Sequence, residues 1–107
     1  MSAGALRHRV TIELPVETPD GQGGQTVTWS PLATVWAEIR PLKARETVNA
    51  HQVEARTTHL VRVRHRPDIL PTMRVVFGNR IFAIHGVLDD GERRRFLHLF
   101  CEEGAPA

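Results

Sequence analysis

The stretch Met73–Leu88 reads MRVVFGNRIFAIHGVL, and its reading decides the fold. Met73–Phe77 and Arg80–Leu88 are short runs rich in Val, Ile and Phe, residues that suit a pleated, half-buried surface. Between them stands Gly78–Asn79, a two-residue connection in which positive φ is easily reached. The stretch is an antiparallel hairpin on paper. Its neighbours repeat the theme. Pro67–Pro71 upstream and Asp89–Asp90–Gly91 downstream are turns. Thr58–Arg66 alternates with period two, Leu60, Arg62 and Arg64 opposing His59, Val61 and Val63. Arg95–Glu102 does the same, with Leu97, Leu99 and Cys101 on one side and Phe96, His98 and Phe100 on the other.

The N-terminal half continues the alternation. In Leu6–Leu14, Leu6, His8, Val10, Ile12 and Leu14 face one way and Arg7, Arg9, Thr11 and Glu13 the other. Pro15 is expected to end this strand, and Pro15–Gly24 (PVETPDGQGG) reads as a flexible hairpin loop. Gln25–Trp29 resumes the alternation and Ser30–Pro31 interrupts it, marking a bulge or an edge. Ala33–Ile39 carries Val35, Ala37 and Ile39 on one face, and Pro41 closes it. Leu42–Arg56 breaks the pattern. Ala44, Val48, His51 and Ala55 fall near helical spacing with no large side chain among them, which predicts a mobile, partly helical excursion. The tail Gly104–Ala107 is expected to be disordered. Six or seven short strands parted by turns predict an all-β fold, a small antiparallel barrel or sandwich.

Composition narrows the function classes. At 107 residues the chain predicts one domain, 1–107, and 41% hydrophobic residues is too apolar for disorder. No apolar run approaches the about 20 residues of a membrane-spanning helix, and the N-terminus lacks the apolar stretch of a signal peptide. The single Cys101 leaves no internal disulfide and fits a reducing compartment. The net charge of +2 is too small to argue for nucleic-acid binding alone. Lys43 is the only lysine among 14 basic residues, so arginine dominates. Arginine suits interfaces and forked recognition of carboxylates and phosphates, although a biased genome would produce the same count.

No catalytic constellation emerges. The six histidines, 8, 51, 59, 65, 85 and 98, form neither HxH nor HExxH. His98 and Cys101 differ by an odd offset and so point to opposite faces of a strand. There is no GxSxG elbow or phosphate-binding glycine loop. No catalytic residue, metal site or cofactor is assigned. His8 reads as a neutral histidine at a barrel rim. Arg62, Arg64 and Arg66 share one strand face. Either that face is solvated and paired with acidic neighbours, or it binds single-stranded nucleic acid, which would require stacking aromatics nearby. Trp36 stands on a polar face and marks a subunit contact or a cover over a barrel end. Trp29, Trp36, Arg62 and Arg64 are the candidate interface residues.

Taken in order, the pieces resemble the phage head–tail joining family, the head-closure or stopper proteins of long-tailed phages and gene transfer agents. The resemblance runs through Leu6–Ile12, the Pro-x-Glu-Thr-x-Asp-Gly-x-Gly-Gly loop, Thr28–Trp29, Val35–Leu42, Arg45–Glu46 and His59–Arg66. It ends with Met73–Phe77, Arg80–Ile84 and Leu97–Glu102. His65, Asn79 and Val87–Asp90 depart from the usual pattern, all at turns or strand ends. The resemblance implies a six- or seven-stranded barrel assembled into a ring of six or twelve copies in the virion neck, built in the host bacterial cytoplasm. The ring would meet portal and adaptor proteins above and tail terminator or tail tube below, with no membrane involved. It implies that Leu42–Arg56 projects into the channel, where Lys43, Arg45, Glu46, Asn49, His51, Gln52, Glu54 and Arg56 face double-stranded DNA without sequence preference. That segment carries +1 per copy, three bases minus two acids. The alternative is a small barrel that binds nucleic acid through its arginine-rich strand.

Overall fold

The computed structural model describes residues 6–42, 57–89, 91 and 93–104. Among them are six strands: β1 (His8–Pro19), β2 (Gln25–Pro41), β3 (His59–Arg64), β4 (Arg74–Phe77), β5 (Arg80–Asp89) and β6 (Phe96–Glu103). All neighbours are antiparallel, and the order β1-β2-β3-β6-β5-β4 closes into a barrel through the pairing of β1 with β4. Closure pairs the strand edges within the barrel body, though not along the part of β1 and β2 that runs beyond it.

The alternation read from the sequence turns one face of each strand inward. Val10 and Ile12 of β1, Ala37 of β2, Val61 and Val63 of β3, Val75 of β4, Phe82 and Ile84 of β5, and Leu97, Leu99 and Cys101 of β6 make the core. Ile69 and Met73, from the connection between β3 and β4, complete it. Phe82 is the largest fully buried side chain. Gly78 takes φ 61° in the β4–β5 turn, as the Gly78–Asn79 reading requires.

Two expectations about the N-terminal half are corrected. Pro15–Gly24 is not a loop: β1 runs through Pro15 to Pro19, paired residue by residue with β2, and only Asp20–Gly24 turns. Pro15 and Pro19 are an even number of residues apart, so both ring nitrogens face the same side of the strand. Pairing of β1 with β4 stops at Glu13. Beyond it that side has no neighbour, and the missing N–H groups cost no ladder bond. The Asp20 carboxylate closes the turn by accepting from the N–H groups of Gln22 (2.8 Å) and Gly24 (3.1 Å). The second correction joins Gln25–Trp29 and Ala33–Ile39 into the single 17-residue strand β2. The interruption foreseen at Ser30–Pro31 is present: Ile12 faces Ala33 but Glu13 faces Pro31, so Leu32 is an extra residue in the ladder.

The result is a barrel with an arm. Residues 14–19, at about 3.3 Å rise each, carry the β1–β2 ribbon about 20 Å past the last β1–β4 pair. The dimensions of 49 × 28 × 27 Å reflect it. Strand directions place the arm, the C-terminal end of β3 and the β5–β6 turn at one end of the barrel. The β2–β3 and β4–β5 connections lie at the other.

Candidate functional site

The outer surface is organised by arginine. Four guanidinium groups lie over aromatic rings: Arg9 over Trp36 (5.0 Å), Arg62 over Phe96 (3.9 Å), Arg74 over Trp29 (4.2 Å) and Arg80 over Phe82 (5.0 Å). Three of these arginines also meet a carboxylate. Arg74 Nε donates to Glu13 at 2.7 Å, and Arg80 forks onto Glu103 at 2.6 and 3.0 Å. Arg62 Nη1 lies 3.9 Å from Glu38. A planar fork can stack and pair at once, which an ammonium cannot.

These contacts sort the interface candidates. Trp36 is 50% exposed on the outer face of β2, opposite Arg9. Trp29 is half-buried on the arm beneath Arg74. Arg62 is not on a solvated face: it is only 4% exposed, covered by Phe96 of β6 and Glu38 of β2. The strand itself holds no aromatic, but the neighbouring strand supplies one. Arg66 forks onto Asp68 at 3.1 and 2.9 Å, and that pair holds the Asp68 carboxyl below its ordinary range. β3 ends at Arg64, so Arg66 lies beyond it, and Arg62, Arg64 and Arg66 do not form a common phosphate-binding face. His8 packs its ring at 4.9 Å from Phe77, at the barrel end expected for it.

Arg64 belongs elsewhere. It lines an open cleft of about 310 Å³ with His65, Arg94, Arg95 and Phe96. The cleft sits at the arm end, where β3 leaves the barrel and β6 enters it. His65 N–H donates to the Arg95 carbonyl at 3.0 Å and ties the two walls. Arg94 has φ 55°, the only positive value at a non-glycine among the described residues. Such a conformation costs of order 1–3 kcal/mol and persists only when the surroundings hold it. Asp89 holds it here, its carboxylate accepting from the Arg94 N–H at 3.1 and 3.2 Å. The run Arg93–Arg95 is visible in the sequence, but its convergence with Arg64 is set by the pairing of Arg64 with Phe96.

The opposite end carries a polar cluster. His59 Nε2 lies 3.6 Å from Glu103, and His85 Nε2 lies 2.9 Å from Glu102. Burial lowers the His59 pKa below the usual histidine value, against the pull of Glu103, and nearby Arg80 lowers it further. The hydrogen bonds from Arg80 hold Glu103 below the carboxylate range. Thr58 closes this end: its N–H donates to Cys101, its carbonyl accepts from Leu42, and its hydroxyl oxygen accepts from Glu103. The Leu42–Thr58 bond, 2.9 Å, pins together the two points between which residues 43–56 are inserted. Lys43, Arg45, Glu46, Asn49, His51, Gln52, Glu54 and Arg56 lie outside the described residues, as do residues 105–107 of the tail. Among the described residues no three His, Cys, Asp or Glu side chains gather as a metal site would need.

The described residues thus form a closed six-stranded antiparallel barrel, armed at one end, with arginine–aromatic stacks and a cleft lined by arginines. The comparisons with known proteins give its family. The profile of the phage head completion protein family matches residues 1–104, and the chain belongs to that family. The solution structure of protein SF1141 from Shigella flexneri 2a is similar at TM-score 0.80 and 31% identity, covering 100% of both chains. A chain in the virion of a native gene transfer agent particle has the same fold, at TM-score 0.64 and 24% identity over 94% of this chain and 97% of that one. No curated protein matches the sequence. Family membership makes the protein a structural component of a phage-type head–tail assembly.

Proposed function

We propose that the protein is the stopper of the head–tail connector. A ring of copies closes the DNA-filled head below the portal and adaptor and offers the tail its docking face. It is a structural part with no catalytic step. The observation that carries this reading is the family match across residues 1–104 on a barrel whose outer surface is built for contact. The anchoring of residues 43–56 supports it further. The Leu42–Thr58 bond holds together the two points of the barrel between which residues 43–56 are inserted. Repeated about a ring axis, its +1 per copy makes a collar suited to phosphates, with sequence-independent, salt-weakened contact. Arg62, buried under Phe96, and Arg66, forked onto Asp68, argue against the alternative of a nucleic-acid-binding strand face. Deleting the gene tests the proposal. Full heads that leak DNA and lack tails are expected; intact particles that still transfer DNA contradict it.

A further inference from the structure

The arm end carries an acidic ribbon and, separately, a cleft lined by arginines, whose turn also holds Asp89, Asp90 and Glu92 in the sequence. Residues 15–29, the arm, hold Glu17 and Asp20 and no lysine or arginine. Glu17 pairs across the ribbon with Val27, and Pro15 with Trp29, so by the two-residue period Glu17, Val27 and Trp29 share one face. Glu17 is exposed, and Val27 is 47% exposed although it is apolar. A protruding two-stranded ribbon with an outward valine and carboxylate buries neither against its own barrel. The cleft is the converse surface: Arg64, Arg94 and Arg95 line it with His65 and Phe96, and Arg94 has a positive φ. Among the described residues the one carboxylate bound to this turn, Asp89, is engaged by the Arg94 main chain.

We propose that the arm of one copy seats in the basic cleft of the next, with Glu17 forked by Arg64 or Arg95 and Val27 packed on Phe96. The inference rests on the ring reading above and names the contact that builds it. Arm and cleft are different surfaces, so the contact is heterologous, and repeating it generates a ring where a self-complementary patch would stop at a dimer. The arm's reach past the barrel end is what a neighbour-clasping element needs. Arginine forks make charge-assisted bonds to carboxylates, and the apolar pair beneath excludes water from them. DNA is the poorer occupant. The cleft lies at the end of the barrel opposite the Leu42–Thr58 bond, and its phenylalanine has an apolar counterpart on the arm.

Cross-linking in particles tests this. An Arg–Glu pair spans more than the about 4.4–6.8 Å between Cα atoms that a disulfide allows, so the chain with Glu17→Cys and Arg64→Cys is treated with a short bismaleimide. Cys101 is buried and stays silent. A ladder of linked multimers is expected from the double variant, and single bands from either variant alone. A double variant that enters particles in normal amount yet runs as one unlinked band overturns the contact while leaving the stopper reading intact. Charge exchange is the second arm. Glu17→Arg and Arg64→Glu should each abolish ring formation, and the two combined should restore it; no restoration overturns the contact. Loss of DNA binding by Arg64→Glu/Arg95→Glu with assembly undisturbed would make the cleft a phosphate site and overturn it as well. Should the gene prove dispensable for particles, the stopper reading falls, and the same cross-link in concentrated purified protein still reads the arm and cleft.

Discussion

Arg62 shows why this surface is written in arginine. Its outward direction is plain from the alternation, because Val61 and Val63 face the core. What the alternation cannot express is that Phe96 and Glu38, from strands on either side, close over it. Arg62→Lys keeps the charge but loses the stacked plane, and should cost about 1–2 kcal/mol in urea unfolding; an unchanged midpoint would show the stack to be idle. Cys101 is the opposite case, an internal residue legible from its parity with Leu97 and Leu99. Burial pushes its thiol well above the ordinary range. It should resist thiol reagents in the native protein and react only on unfolding, which a timed modification assay reads.

His59 supplies a pH dependence whose sign follows from its surroundings. Its folded pKa lies below the usual 6.5, chiefly through burial, so the unfolded chain binds the proton first. The contribution of this group is fully present above pH 6.5 and is lost as the pH falls from there toward the lowered folded value. Glu103, depressed by Arg80, adds a separate loss at lower pH, as the solution passes from the ordinary carboxylate pKa down to the folded one. Denaturation midpoints at pH 7.5 and 5.5 should fall more steeply for the native chain than for His59→Gln.

At the scale of elements, the β4–β5 hairpin was legible because its turn chemistry is local: Gly78 and Asn79 need no knowledge of neighbours. The arm was not. Pro15 reads as a terminator, and whether a proline breaks a strand depends on whether its nitrogen faces a partner. That is a fact of the barrel's pairing, with β4 stopping at Glu13. The even spacing of Pro15 and Pro19 was the available clue. The cleft was half legible, since Arg93–Arg95 stands out but its meeting with Arg64 depends on how β3 and β6 align. Two outcomes follow. Replacing residues 16–28 with a short turn should leave the barrel's cooperative melting intact, since no core residue lies in the arm; loss of folded protein would mean the arm supports the wall. Arg94→Gly should raise stability by about 1 kcal/mol by relieving the positive φ, read as an upward shift in midpoint, while the Asp89 contact to the main chain remains.

At the scale of the whole molecule, the two ends of the barrel carry different surfaces. One end bears the arm and the basic cleft, and the other bears the Leu42–Thr58 clasp and the insertion it anchors. Trp36, half exposed on the wall between them, should matter to assembly and little to the monomer. Trp36→Ala should shift unfolding by less than about 1 kcal/mol, in line with surface substitutions, yet lower incorporation into particles. The central claim is that this chain forms a closed ring in the neck, and a reconstruction of the particle neck is its most direct measurement. The account predicts a ring of six-stranded barrels between the portal side and the tail, with residues 42–56 turned to the channel. Neck density fully accounted for by other chains, or copies of this one found outside the neck, would contradict it.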